Sequence, residues 1–282
     1  MALALGSSVC WGASDFLGGL KSRSVAVPVV LAGSYTTGLV LMAVAVVLIG
    51  ESFPSAGAAA YGAAAGLAGI VGLGAFYRAL AIGTMSIVAP ISATGVAIPV
   101  IVGLAQGEDP STVTSAGLAL AVVGVVLASR ESRPEDAPEI DEGARRQSIL
   151  LALVAGAAFG TYFTFADIAS EESVTWALFL SRAVSTPVLL VVVLLVVGAA
   201  AVPRTAPALA PLVLIGVLDL IANALYNVAT TKGALSGVAV AAALYPVVTV
   251  LLAAAILHER VRGSQALGVV AALTGVVLIA AG

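Results

Sequence analysis

The chain is a succession of apolar runs of about twenty residues, separated by short polar breaks. Inside lipid only helices and closed barrels satisfy every backbone hydrogen bond, and a helix needs about twenty apolar residues to cross the bilayer. Barrel strands would alternate apolar and polar residues over about ten positions, a pattern that this chain lacks. With 61% apolar and only 10% charged residues, the chain has too little polar surface for a water-soluble domain. The sequence therefore predicts an all-α integral membrane protein.

Nine polar or glycine-containing breaks divide the chain into ten predicted membrane helices. Their approximate bounds are 1–20, 25–49, 57–82, 85–106, 112–129, 147–169, 174–198, 208–231, 234–257 and 263–281. The longest break, residues 130–146, is charged, contains two prolines and is almost free of large apolar residues. Such a composition favours a solvated linker. We therefore predict two halves, residues 1–129 and 147–282, joined by this linker.

A repeated pattern closes both halves, beginning at Gly83 in the first and at Gly233 in the second. With one gap, three positions align: Glu108 with Glu259, Gly117 with Gly268, and Gly124 with Gly275. Each half contains five predicted helices, and an odd number makes the second half enter the bilayer from the opposite side. Inverted repeats of this kind are typical of secondary transporters, which alternate access around a site at the repeat interface. The prediction is therefore ten transmembrane helices in a 5+5 inverted repeat, and a carrier for a small-molecule substrate.

Several motifs resemble one family. They are WGASDF from Trp11, FYRALAIG from Phe76, the Ser86–Pro90 segment, and LYPVVTVLLAAAILHERV from Leu244, followed by Gln265 and Gly268. Together they resemble the ten-helix EamA-type members of the drug/metabolite transporter superfamily, over nearly the whole chain. The resemblance implies an exporter of small metabolites, such as amino acids or related compounds, in a prokaryotic inner membrane. Where the family tends to place a glutamate followed by arginine, this chain has Glu108 and Asp109, so no arginine role is carried over there.

Five ionisable side chains lie within the predicted helices: Asp15, Arg78, Asp167, Arg182 and Asp219. A charge at bilayer depth is costly and needs a partner or a function. The ends of the first and third helices share one side of the membrane, so we expect Asp15 to pair with Arg78. The same argument on the opposite side pairs Asp167 with Arg182. These ion pairs either fix the docking of helices or act as gates at the two mouths.

Asp219 begins a polar stripe near the middle of the eighth predicted helix. Residues 4, 7, 8 and 11 positions later are also polar and share its helical face. Such a stripe faces the bundle interior or a wet cavity, because lipid offers no hydrogen bonds. It predicts substrate contact, with an interhelical hydrogen-bond seam as the alternative. Including two residues of the first helix, the predicted substrate contacts are Asp219, Asn223, Tyr226, Asn227, Trp11 and Ser14.

Carboxylates within the membrane also suggest protons as a transport partner, because intramembrane Asp and Glu residues often carry protons in transporters. Asp219 is the first candidate for proton coupling and Asp15 the second.

Prolines interrupt two of the predicted helices, at Pro90 and Pro99 in the fourth and at Pro246 in the ninth. Proline removes one backbone hydrogen bond and permits a bend. The three prolines are therefore either hinges of a moving carrier or static kinks, and the sequence favours neither.

Other functional classes lack support in the sequence. No phosphate-binding GxxxxGK[ST] loop is present, and the single histidine, His258, lies in a predicted loop, so neither ATP hydrolysis, a histidine metal site nor a serine hydrolase is indicated. A net charge of −3 without a basic run argues against nucleic acid. We predict no enzyme activity and no cofactor. A non-transporting scaffold or subunit and a channel are the alternatives to a carrier, although no ring of like charges marks a pore.

The distribution of basic residues gives the opposite orientation to the family resemblance. Nine of the twelve basic residues lie in the odd-numbered connections between predicted helices. The positive-inside rule then places both termini outside the cell. The resemblance implies that both termini are cytoplasmic.

Overall fold

The computed structural model describes residues 1–22, 24–82, 91–92, 94–128, 142–256 and 263–281. The described residues contain α-helices and short helical turns and no strand. The α-helices, in chain order, are α1 (Ala2–Ser22), α2 (Val27–Ile49), α3 (Ala56–Ile82), α4 (Ala97–Ala105), α5 (Thr112–Ala128), α6 (Glu142–Ser170), α7 (Val174–Val192), α8 (Ala206–Thr230), α9 (Leu235–Ala242), α10 (Tyr245–Ile256) and α11 (Gly263–Ala281).

Five of these helices, namely α2, α3, α6, α7 and α8, are long and apolar enough to cross a membrane. Their outward faces are apolar, and Val47 and Leu195 expose about four fifths of their surface. Such exposure would be costly in water and is favourable in lipid. The chain is therefore a multi-pass membrane protein.

Where the structure describes them, most helices follow the predicted bounds, with three differences. In the region of the fourth predicted helix, 85–106, a 3₁₀ turn at Thr94–Val96 precedes α4, which begins only at Ala97. The first turn of α6 begins at Glu142, inside the segment predicted as linker. A glutamate in the first turn of a helix is stabilised by the positive end of the helix dipole, so the helix extends into the charged segment. The ninth predicted helix is divided into α9 and α10 by a two-residue turn at Ala243 and Leu244.

The most extensive helix contacts join one half of the chain to the other. Helix α3 packs along α6 and α7, α5 along α11, α1 along α8 and α10, and α2 along α7 and α8. Contacts between neighbours in sequence, such as α1 with α2, are much smaller. The two halves are therefore interleaved, and any space at the centre is bounded by both.

Small residues allow these helices to approach closely. On α5, a Cβ atom added to Gly124 would lie 2.2 Å from the backbone nitrogen of Ala272 in α11. On α3, a Cβ atom at Gly66 would lie 2.2 Å from the carbonyl oxygen of Ser181 in α7. Without a hydrophobic force between helices in lipid, such close packing is a main source of helix association.

Candidate functional site

A cavity lies at the centre of the bundle, between α1, α2 and α3 of the first half and α6, α8 and α10 of the second. The empty volume is about 540 Å³ when the open solvent at its mouth is included. Aromatic and apolar side chains dominate its wall, with three polar side chains among them. The lining residues are Trp11, Asp15, Tyr35, Gly69, Leu73, Phe76, Phe159, Tyr162, Phe163, Asp219, Asn223 and Tyr245.

The indole of Trp11 is the centre of an aromatic cluster on this wall. Its ring centroid is 5.5 Å from that of Phe163, 6.4 Å from that of Tyr162 and 6.5 Å from that of Tyr245. The rings meet at tilted or edge-to-face angles, the arrangements that the quadrupoles of aromatic rings favour. The cluster joins α1 to α6 and α10 and thus spans both halves.

Asp219 is held by Arg182 in the wall of the cavity. The Nη2 atom of Arg182 donates to Oδ2 of Asp219 at 2.6 Å, and the guanidinium carbon lies 4.2 Å from the centre of the Tyr35 ring. The side chain of Arg182 is 4% exposed and that of Asp219 is 15% exposed. Arg182 thus lies behind the wall and compensates the charge of Asp219, which faces the cavity.

This ion pair corrects the predicted pairing of Arg182 with Asp167. Asp167 lies three residues before the end of α6, whereas Arg182 lies eight residues into α7 from the same side. At 1.5 Å per residue the two differ in depth by about 7.5 Å. Asp219 lies closer in depth to Arg182, on the neighbouring α8, and the long arginine side chain spans the remaining distance.

Asp15 faces the cavity without a basic partner among the described residues. The hydroxyl of Tyr77 donates a long hydrogen bond, 3.4 Å, to its Oδ1 atom. The predicted partner, Arg78, is exposed and forms no ion pair with Asp15 in the described part of the chain. Consecutive helical residues point about 100° apart, so when Tyr77 faces α1 its neighbour Arg78 faces away. The predicted pairing of Asp15 with Arg78 is therefore wrong. It considered the depth of the two residues in the membrane but not the direction in which the side chain of Arg78 points.

Asn223 completes the polar part of the wall. It lies one turn after Asp219 on α8 and donates from Nδ2 to the carbonyl oxygen of Asp219 at 2.6 Å. The hydroxyl of Tyr162 on α6 donates to its Oδ1 atom. Both the oxygen and the nitrogen of the side-chain amide are therefore engaged, and Asn223 links Tyr162 on α6 to the backbone of α8.

Three of the predicted substrate contacts lie outside the cavity wall. The hydroxyl of Tyr226 is fully buried and donates to the carbonyl oxygen of Phe163 at 3.0 Å. Ser14 donates to the carbonyl oxygen of Ile215 at 3.2 Å, and Asn227 is 1% exposed. These side chains join or fill helix interfaces, as the alternative of a hydrogen-bond seam predicts. Trp11, Asp219 and Asn223 do line the cavity, and their contact with substrate stays a prediction.

Two of the three predicted hinge prolines can be placed in the fold. Pro99 is buried in the first turn of α4, directly after a 3₁₀ turn at Thr94–Val96. Pro246 lies in the first turn of α10, after the break that ends α9. Proline is well tolerated in a first helical turn because its missing N–H has no helical partner there. Each proline thus begins a helix after an interruption; Pro90 lies outside the described residues.

Apart from Trp11, the aromatic lining was not predicted from the sequence, although the composition contains a signal. The chain has only fifteen aromatic residues, seven Phe, two Trp and six Tyr. Seven of them line this one cavity. In a chain built mainly from Ala, Gly, Val and Leu, positions that retain aromatic rings are informative, but their convergence depends on which helices are neighbours.

Reciprocal contacts between glutamate and serine join the two halves at one end of the bundle. We call these four residues the clasp: Glu51 and Ser55 of the first half, and Glu172 and Ser173 of the second. Ser55 donates from its backbone nitrogen and its hydroxyl to the carboxylate of Glu172, at 2.8 and 2.6 Å. On the other side, the hydroxyl of Ser173 alone donates to the carboxylate of Glu51. The side-chain and backbone hydrogen bonds from Ser55 hold the pKa of the exposed Glu172 below its usual range.

The comparisons with known proteins agree with this architecture. The model of the EamA-like transporter family matches residues 1–130 and 146–281. No curated protein matches the sequence. Among solved structures, one titled only "Crystal structure of protein" is 15% identical, with a TM-score of 0.76, over 98% of this chain and 94% of that chain. At this identity the similarity shows a common fold. Among the described residues, no cluster of His, Cys, Asp or Glu could hold a metal ion.

Proposed function

The chain belongs to the EamA-like transporter family, and we propose that it is a secondary carrier that exports a small organic metabolite by alternating access. The transported molecule binds in the central cavity. Amino acids and related compounds are the starting class of candidates, and a prokaryotic inner membrane is the proposed location.

The observation that carries this proposal is the composition of the cavity wall. Both halves of the chain contribute to it, and Asp15, Asp219 and Asn223 place polar groups deep in an otherwise apolar bundle. Such groups are expensive at membrane depth and mark substrate or ion pathways. A site bounded by both repeats can be opened to either side by rocking one half against the other.

The proposal includes ten membrane helices arranged as a 5+5 inverted repeat. Five helices are clear spans, and four shorter apolar helical stretches lie near the positions of further predicted spans. The sequence repeat and the interleaving of the two halves support this arrangement. Residues 1–129 and 147–282 are then the repeats, and 130–146 connects them.

We further propose that the clasp is the gate at its end of the bundle. The predicted gating pairs were Asp15 with Arg78 and Asp167 with Arg182, whereas the ion pair found joins α7 to α8 within the second half. The clasp instead bridges the halves and is exposed to solvent, so water can replace its hydrogen bonds when it opens. The test introduces Ser55→Cys and Glu172→Cys into a Cys10→Ala background, which removes the single native cysteine. A short thiol cross-linker that bridges the two new cysteines should stop transport. Reduction of a cleavable cross-linker should restore it, and full activity of the bridged protein would remove the clasp from the gating cycle.

Counterflow in proteoliposomes tests the carrier function. A panel of labelled amines, amino acids, nucleobases and sugars is offered to vesicles loaded with each unlabelled compound, because only a carrier exchanges one molecule for another. Leu73→Trp fills the cavity from α3 and should abolish exchange. The matched control, Leu67→Trp, changes the lipid-exposed surface of the same helix and should retain it. Equal activity of both variants would show that the cavity is not the transport site.

Proton coupling is tested in the same vesicles with and without a pH gradient. We propose that a cavity carboxylate, Asp15 or Asp219, takes up the proton. Since Asp219→Asn also unpairs the buried Arg182, only the folded fraction of this variant is compared. If coupling depends on Asp219, that folded fraction loses accumulation driven by the pH gradient but still exchanges substrate. Because Asp219 is already joined to Arg182, the same comparison with Asp15→Asn decides between the two carboxylates. Gradient-driven uptake that survives both substitutions would assign the driving force to the substrate gradient.

A further inference from the structure

The charges around the cavity do not cancel. Asp15 and Asp219 both line it, and Arg182 compensates only Asp219, at 2.6 Å. Asp15 accepts one hydrogen bond from Tyr77 and has no basic partner in the described part of the chain. With both carboxylates ionised, the described site has a net charge of about −1.

Among the residues that the structure describes, no basic side chain lines the cavity. The buried cation Arg182 has a side chain that is 4% exposed, and it stacks on the Tyr35 ring behind the wall. The break before α10 offers little to an anion either, because the amides of Val247 and Val248 are bonded to the carbonyl oxygen of Leu244. A carboxylate or phosphate in this cavity would therefore be a charge without a partner, which is a large cost in a low-dielectric site.

The aromatic rings of the cavity wall favour a cation. Seven aromatic rings surround the space beside Asp15, and the Trp11 ring lies among three of them at 5.5 to 6.5 Å. The face of an aromatic ring is electronegative and attracts an ammonium group, and desolvation strengthens this attraction. An aromatic cage beside an uncompensated carboxylate is suited to a cation with an apolar body.

We propose that the transported molecule is an organic cation, with its ammonium group on Asp15 and its apolar or aromatic body against Trp11 and the surrounding rings. This proposal rests on the proposed carrier function and narrows its substrate class. A free amino acid carries a carboxylate that the wall does not accommodate. The corresponding amine, which lacks that group, retains every favourable contact.

Three probes with the same ring separate the alternatives: phenethylamine as the cation, phenylalanine as the zwitterion and 3-phenylpropionate as the anion. Their binding to purified protein in detergent micelles is followed by the fluorescence of Trp11. The chain has two tryptophans, so Trp176→Phe makes Trp11 the only indole. We expect saturable quenching by phenethylamine and affinities at least tenfold weaker for the other two probes.

The role of Asp15 is tested in the same background. Asp15→Asn should weaken phenethylamine binding by about 10- to 100-fold, the range for a hydrogen bond to a charged group, and Asp15→Glu should keep most of the affinity. Asp167→Asn is the matched control, because it removes a buried carboxylate that does not line the cavity. An equal loss in both asparagine variants would assign the effect to general destabilisation and overturn the assignment to Asp15.

Counterflow of the three probes distinguishes failure of this inference from failure of the carrier function. Exchange of phenethylamine alone supports both. Exchange of phenylalanine or 3-phenylpropionate at an equal or higher rate keeps the carrier and overturns the preference for a cation. If phenethylamine binds saturably but no compound of the whole panel is exchanged, the cation-binding site is supported and the carrier function is overturned.

Discussion

Replacing Asp219 by asparagine should destabilise the protein strongly, because it leaves the guanidinium of Arg182 buried without its counter-ion. The side chain of Arg182 is 4% exposed, and its Nε atom already lacks a hydrogen-bond partner among the described residues. Removing one member of a buried ion pair typically costs about 3–5 kcal/mol. The low exposure of Arg182 places Asp219→Asn in that range.

Removing the other member of the ion pair should lower the free energy of unfolding by a smaller amount. Arg182→Met removes the cation and leaves Asp219, whose side chain is 15% exposed at the cavity wall, where water can hydrate it; we expect a loss of about 1–3 kcal/mol. The double variant Asp219→Asn with Arg182→Met has no uncompensated charge and should be more stable than Asp219→Asn alone. The coupling energy of the cycle should then be about 2 kcal/mol or more, as found for residues in direct contact.

Reversible unfolding in mixed micelles of a mild detergent and SDS measures all three free energies. Asp167→Asn serves as the reference, because no ion pair joins Asp167 to a base in the described part of the chain and its removal leaves no cation unpaired. If Asp219→Asn unfolds with nearly the wild-type free energy, or if the two single losses simply add in the double variant, then the ion pair does not contribute as the geometry indicates.

Three further expectations concern the helix interfaces and the clasp. Gly124→Ala should lower the free energy of unfolding by about 1–3 kcal/mol, because its Cβ would lie 2.2 Å from the backbone of α11. The control, Gly74→Ala, has open space around it and should be neutral or stabilising. A larger loss of stability in Gly74→Ala than in Gly124→Ala would contradict the packing of α5. Tyr226→Phe should lower the free energy of unfolding by about 1 kcal/mol, because it loses the hydrogen bond to α6. In counterflow, this variant should prefer the same charged probe as the wild type. A changed preference would place Tyr226 in the transport site. Because the folded-state pKa of Glu172 is lowered, its contact with Ser55 stabilises the fold above the ordinary glutamate pKa, and this contribution is lost as the pH falls through the lowered value. The difference in melting temperature between wild type and Ser55→Ala should therefore shrink on acidification, and a difference that grows would refute this sign.

Most helical bounds in the described part of the chain could be predicted from the sequence. Each bound depends on local features, namely the length of an apolar run and the polar, glycine or proline residues at its ends. Ser173 shows this locality, because its hydroxyl accepts from the backbone nitrogen of Trp176 and caps α7. The division of the ninth predicted helix was missed, since a single proline does not specify whether a helix bends or stops.

The residues that line the cavity were predicted in part, and their role in transport stays a prediction. The polar stripe of α8 contains Asp219 and Asn223, which reach the cavity, but also Tyr226 and Asn227, which do not. A stripe defined by spacing covers a broad face of the helix, and neighbouring helices divide that face between cavity and interface. Spacing alone therefore identified a helix and a face that reach the cavity, without separating the residues of the cavity wall from those of the helix interface.

The sequence by itself determined that the protein lies in lipid, that it is helical and that it belongs to this family, which matches both halves of the chain, because these properties depend on composition and on order along one chain. Only the tertiary structure decided that Arg182 pairs with Asp219, that Asp15 is left without a cation among the described residues, and that seven aromatic rings meet around one space. The physical reason is that these contacts depend on the rotation and neighbours of each helix. Helices of similar hydropathy pack through small residues, and the pattern of these residues does not specify which helix is the neighbour. The charge and shape of the cavity are therefore set by the packed bundle.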